Sequence, residues 1–149
     1  MDSPTGVERL SGYKDALAHQ GIALNNDLIV KGKWTPACGA AGVDTLLSRK
    51  VNFTALVASN DDMAIGAMKQ LHEHGVSVPA QVSVIGFDDI ALAAYTIPAL
   101  SSVKIPVTEM IQETIGRLIF MLGDGAFTPP KTFTGELILR DSVAPPASR

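Results

Sequence analysis

The chain has one cysteine in 149 residues, Cys38, so it has no internal disulfide and no set of thiolates to hold a metal. This usage fits a reducing compartment and sets the expectation of a cytoplasmic protein. Basic residues are also scarce. Twelve Lys and Arg face 15 Asp and Glu, for a net charge of -3, and the cations are scattered. That balance gives no footprint for a polyanion, so these residues are not expected to grip DNA themselves. No apolar run approaches the length of a membrane span, which excludes a membrane partner from the reading. The opening MDSPTGVERL lacks the charged-then-apolar pattern of a secretory leader. No Gly-rich phosphate loop accompanies the aspartate pairs, which removes the main argument for phosphoryl transfer. What the chain does have is apolar residues, 46% of the total, enough for one substantial core.

Their spacing divides the chain into alternating elements. Leu10, Tyr13, Leu17 and Ala18 recur at helical intervals after the capping residues Ser3 and Thr5, up to Gly21. Leu28-Ile29-Val30 reads as a short strand that delivers Trp34. An Ala- and Gly-rich helix follows Pro36, its small residues suited to close packing against a sheet. Phe53 to Leu71, FTALVASNDDMAIGAMKQL, reads as strand, polar turn and helix, and Gly75 is the expected stop. Val82 to Phe87 repeats the buried strand and ends in Asp88-Asp89. A helical turn at 90–95 and a strand at 101–105 come next.

The longest helix is expected over Val107–Leu122, with Met110, Ile111, Ile115 and Leu118 on one stripe and Gly123-Asp124-Gly125 at its end. Pro129-Pro130 marks a loop, and Phe133–Leu139 alternates as a last strand before a Pro-rich tail. Strands alternating with helices predict an α/β fold, a parallel sheet flanked by helices on both faces. The turns after Val30, Ala58 and Phe87 then lie along one sheet edge, which is where open α/β sheets bind ligands.

Trp34, Asn60 and Asp88 are expected to converge on that edge. An indole plate, a carboxamide and a carboxylate suit a sugar, with the ring under its C–H face and the polar groups on its hydroxyls. Each residue also has a plain structural reading: Asn60 as a helix cap, Asp88 and Asp89 as turn residues, Trp34 as core packing. Arg9 by itself reads as a solvated helix charge. His72 and His74 point to different helix faces and cannot share a metal, so no metal site is expected. Cys38 has no base near it in sequence and reads as a small core thiol. Met63 and Met68 read as core, with an exposed patch as the alternative.

Several segments together resemble the LacI/GalR repressors, whose effector-binding core shares the periplasmic-binding-protein (type I) fold. Val57-Ala58-Ser59-Asn60-Asp61-Asp62-Met63-Ala64-Ile65-Gly66-Ala67 is similar to that family's strand-turn-helix signature. Val78-Pro79 to Asp89 is similar to its second signature, and Tyr95 to Val103 to the segment that follows. Glu8-Arg9-Leu10-Ser11-Gly12-Tyr13 resembles its first-helix motif. The resemblance spans essentially the whole chain.

It implies a binding protein with no catalytic residue and no cofactor. The implied ligand is a sugar, specifically a β-glucoside, held by Arg9, Trp34, Asn60 and Asp88. It also implies a homodimer, with Ile65, Met68, Leu92, Tyr95 and Thr96 as candidate interface residues. Operator DNA would be contacted only through a helix-turn-helix headpiece that this sequence does not show.

By the same resemblance, residues 1–106 form the C-terminal effector-binding subdomain. Residues 107–133 are a crossover helix and loop belonging to an N-terminal subdomain largely absent here, and 134–149 a return strand and tail. The apolar stripe of the long helix should then lack its usual cover, and these residues alone are expected to bind sugar weakly or not at all. Two other readings are a periplasmic-type sugar-binding transport protein and a glycosidase using Asp88 or Asp89. Adjacent aspartates on one turn rarely reach the separation a glycosidase needs.

Overall fold

Local signals place most of the elements. In the computed structural model, which describes residues 3–123, 129 and 131–146, helix α1 spans Pro4–His19. The Ser3 hydroxyl caps it by accepting from the Gly6 amide, and Gly21 follows in the left-handed region at φ +67°. Helix α2, Pro36–Ser48, has Thr35 as its cap. Strand β1 is Ala55–Val57 and helix α3 is Asp61–Glu73, with Asp61 and Asp62 in its first turn and Gly75 at φ +70° beyond its end. Strand β2, Ser83–Asp88, leads to a 3₁₀ turn at Ala91–Tyr95 and strand β3, Ser101–Lys104. Helix α4 covers Val107–Leu122 and strand β4 Glu136–Ile138. Asp124, Gly125 and Pro130, expected in the turns after α4, lie outside the described residues.

The four strands lie in the order β1-β2-β3-β4. The first three are parallel, with Val57 opposite Ile85 and Ile85 opposite Ser101. β4 runs antiparallel to β3, which makes the sheet mixed rather than wholly parallel. The chain then continues beside β2 below the start of β3. There the buried Ser142 accepts from the Val84 amide through its carbonyl and donates to the Val84 carbonyl through its hydroxyl. The strand expected at Leu28–Val30 does not join the sheet: Asn26–Leu28 is a 3₁₀ turn, and the residues after it run extended but unpaired. An apolar cleft of about 680 Å³, lined by Val7, Leu10, Val30, Phe53, Leu56 and others, lies beside β1, the edge strand.

The core lies between α3 and the sheet and between α3 and α2. Val43, Ala64, Leu71, Val84, Ala93 and Leu100 are fully enclosed. The two helices cross at glycines. A Cβ on Gly66 would lie 1.8 Å from the Pro36 carbonyl oxygen, and one on Gly39 would lie 2.0 Å from that of Met63. The small residues of α2 thus serve contact with α3, where the sequence suggested a sheet. Among the described residues α4 has no such partner. It carries no buried residue, and Ile111, Ile115, Leu118, Ile119 and Leu122 are all more than half exposed.

Candidate functional site

At the C-terminal ends of β1 and β2, the four residues singled out as a sugar-reading set come together. The first turns of α1 lie across this edge and put Arg9 at its centre. The Arg9 guanidinium donates to the Ser59 carbonyl and to Asp88 Oδ1, the latter at 3.2 Å. It stacks over the Phe87 ring at 3.8 Å from the centroid and lies 5.3 Å from the Trp34 ring. A planar cation between two aromatic faces and a carboxylate is held in one orientation, with charge and dispersion acting together. The guanidinium is therefore packed and paired at this edge rather than a solvated helix charge.

Asn60 fills the helix-cap role and also bridges two loops. Its Oδ1 caps α3 by accepting from the Met63 amide at 3.0 Å. Its Nδ2 donates to the Trp34 carbonyl at 3.3 Å, which ties the second strand-to-helix turn to the loop before α2. An amide nitrogen has two N–H groups, and the Trp34 carbonyl takes one of them. Trp34 is half-buried and sits at φ +60°, a conformation rare for a bulky side chain. Such outliers persist where the surroundings fix them, and here Asn60 and the Thr35 cap do so.

Asp88 and Asp89 both lie in the left-handed region, at φ +111° and +54°. Partial burial pushes the Asp88 carboxyl up from its ordinary range, and the nearby Arg9 guanidinium opposes the shift. Asp89 turns away to Arg140, whose Nη2 donates to it at 2.7 Å while Nη1 donates to the Leu100 carbonyl. Beneath this turn Asp61, fully buried, accepts from the Ile90 amide at 2.8 Å and from the Ser102 hydroxyl at 2.6 Å. Phe87, Arg140, Asp61 and Ser102 were not singled out from sequence. Phe87 directly precedes Asp88 and was findable. Nothing local links Arg140 to an aspartate 51 positions earlier.

The candidate interface residues divide into two groups. Leu92 and Tyr95 are exposed, at 54% and 81%, and adjoin Ile97 at 98%, which sequence reading did not include. Thr96 is half-buried, its hydroxyl donating to the Ala93 and Pro98 carbonyls. Ile65 is half-buried against the core. Met68 is 7% exposed and packs with Ala64, Ala67 and Leu71 inside the chain.

Cys38 is half-buried in the first turn of α2, outside the enclosed core. The Thr35 hydroxyl hydrogen bond chiefly holds its thiol below the ordinary range. His72 is exposed, and His74 Nε2 lies 2.7 Å from Asp44 Oδ1 across the α2–α3 surface. Among the described residues, no group of three His, Cys, Asp or Glu gathers as metal ligands, and no helix is long and apolar enough to cross a membrane.

The chain's relatives share this arrangement of elements. A sequence model of the periplasmic binding protein-like domain matches residues 2–143. The HTH-type transcriptional regulator AscG of Escherichia coli (strain K12) is 75% identical over 147 residues, which are 99% of this chain and 44% of AscG. The crystal structure of the Escherichia coli repressor AscG superimposes with a TM-score of 0.89 at 76% identity, covering 97% of this chain and 53% of that one. A complex of the transcriptional regulator CelR with cellobiose gives a TM-score of 0.87 at 32% identity, over 92% of this chain and 42% of that one. A dimeric Lac repressor gives 0.88 at 27% identity, over 97% and 52%. The chain spans less than half the length of the relatives it matches by sequence. With this fold, this edge and these matches, the chain belongs to the periplasmic-binding-protein-like domain family, in the form found in LacI/GalR-type transcriptional regulators.

Proposed function

We propose that this chain is the sugar-binding and dimerisation part of a cytoplasmic LacI/GalR-type repressor, that it takes a β-glucoside, and that it binds without catalysis. The observation that carries this reading is the convergence of Arg9, Trp34, Asn60 and Asp88 on one sheet edge. Trp34 supplies an apolar plate, the free N–H of Asn60 a donor, and Asp88 an acceptor whose charge Arg9 balances. CelR, solved with cellobiose, is a relative whose ligand is itself a β-glucoside. Catalysis is disfavoured because each aspartate of the second turn is engaged by its own arginine, Asp88 by Arg9 and Asp89 by Arg140. The pair therefore does not face a substrate from two sides.

The edge supplies one wall of a cleft. In this reading residues 1–106 form the C-terminal subdomain, 107–133 belong to a partner subdomain, and 134–149 return. The bare apolar face of α4 supports that division. Leu92, Tyr95 and Ile97 form the subunit face, and operator DNA is reached through a headpiece outside these residues. Sugar bound between two walls changes their closure, and shifts the repressor only by its difference in affinity for the two states.

The test is a titration of this chain with methyl β-D-glucoside, followed by amide and indole NMR. Binding in roughly the millimolar range or weaker is expected, with shifts at Trp34, Asn60 and Asp88 that are lost in Asp88→Ala. Sugar-induced shifts elsewhere on the chain with none at those positions would overturn the sugar reading. Micromolar binding would overturn the division into two walls.

A further inference from the structure

Two fully buried polar side chains, Asp61 and Ser102, lie beneath the turn that carries Asp88. Asp61 follows the Asn60 cap and has no exposed surface, and neither has Ser102 on β3. Ser102 Oγ donates to Asp61 Oδ1 at 2.6 Å and accepts from the Asp89 amide at 3.1 Å. Asp61 Oδ2 accepts from the Ile90 amide at 2.8 Å. Two consecutive backbone amides are thus fixed from below, directly after a residue at φ +111°. The space for the carboxylate is reserved by Gly86, where a Cβ would fall 2.1 Å from Asp61 Oδ1.

A turn with two left-handed non-glycine residues is not one the chain adopts by preference, so something must hold it. Buried hydrogen bonds to a carboxylate are among the stronger ones available, and an unmatched partner there is costly. Neither end of the turn is free: Asp88 meets Arg9 at one side and Asp89 meets Arg140 at the other. The alignment of both pairs depends on the backbone between them.

We propose that Asp61 and Ser102 are positioning residues of the sugar site, holding the Asp88–Ile90 turn so that the Asp88 carboxylate faces Arg9 and the ligand. This rests on the sugar-site reading above for its functional meaning, but the positioning itself is testable without sugar. Ser102→Ala removes the hydroxyl and changes no charge. If the turn loosens, Asp88 loses part of the Arg9 field, and its titration midpoint, read from the side-chain carboxyl ¹³C shift, rises by roughly half a pH unit or more.

Ser102→Thr keeps a hydroxyl and should restore the wild-type midpoint. A midpoint unmoved in Ser102→Ala overturns the proposal whatever happens to stability, and so does one that moves equally in both variants. Should Ser102→Ala fail to fold, Asp61→Asn gives a second reading by hydrogen exchange. The Asp89 and Ile90 amides are expected to exchange about tenfold faster relative to those of α3, and an unchanged ratio overturns the proposal. With methyl β-D-glucoside, Ser102→Ala should weaken binding at least about threefold, and unchanged affinity overturns the functional part. A wild-type chain that binds the sugar away from Trp34, Asn60 and Asp88 would defeat the sugar-site reading and leave the Asp88 midpoint to decide the positioning.

Discussion

Helices α3 and α4 are both amphipathic in sequence, yet they end in opposite environments. α3 buries Met63, Ala64, Gly66, Ala67, Met68 and Leu71 against α2 and the sheet, whereas α4 buries nothing. An apolar stripe states that a helix has a partner without stating where the partner is. For α3 the partner is in these residues, and the glycines at the crossing show how closely the two helices approach. For α4 a row of exposed Ile and Leu larger than a solitary surface helix carries points to cover from elsewhere. The edge that gathers Trp34, Asn60 and Asp88 lies on the α3 side, where Asn60 caps the helix and Asp61 is buried in its first turn.

The largest expected effect tests the crossing. Gly66→Ala drives a Cβ into the Pro36 carbonyl and should cost at least about 3 kcal/mol in urea unfolding. Gly116→Ala in α4, where nothing lies within 4 Å, should stabilise by about 0.5–1 kcal/mol. Equal effects at the two sites would erase the contrast. Next in size is truncation of matched leucines. Leu71→Ala should cost about 2–5 kcal/mol, and Leu118→Ala less than about 0.5 kcal/mol, in the same measurement. A large loss at Leu118 would show that α4 already has a partner in solution, such as a second copy.

The smallest effect concerns the edge itself. Burial raises the Asp88 carboxyl above its unfolded value, so its contribution to stability is full below that value and is lost as pH rises through the folded midpoint. Asp88→Asn should therefore melt slightly higher than wild type at pH 7, and the difference should fade as pH drops below about 4. A difference that grows on acidification would mean the Arg9 pairing outweighs the burial.

Much of the site was legible because it is made of strand ends. Asn60 and Asp88 fall on one edge because each follows a parallel strand and such strands finish on the same side, whereas Trp34 follows an unpaired segment and meets that edge through its carbonyl bond to Asn60. The resemblance then added Arg9, which periodicity alone treats as a surface charge. Asp61 was less legible, because an aspartate in a first helical turn looks like a macrodipole partner and gives no sign of being buried. The Leu28–Val30 segment shows the limit for strands. Its β-type residues favour extension, but pairing needs a neighbour, and the cleft beside β1 separates it from the sheet.

The sequence by itself determined most of the elements, because caps, stops and apolar spacing act between residues a few positions apart. Ser3, Asn60, Gly21 and Gly75 set helix ends in this way, and the span of α4 follows from its stripe. The tertiary structure alone decided the antiparallel direction of β4, the core position of Met68, the grip of Arg140 on Asp89 and the union of Asp61 with Ser102. Each of these depends on groups brought together across tens of residues, and no local periodicity encodes which distant partner will close the distance.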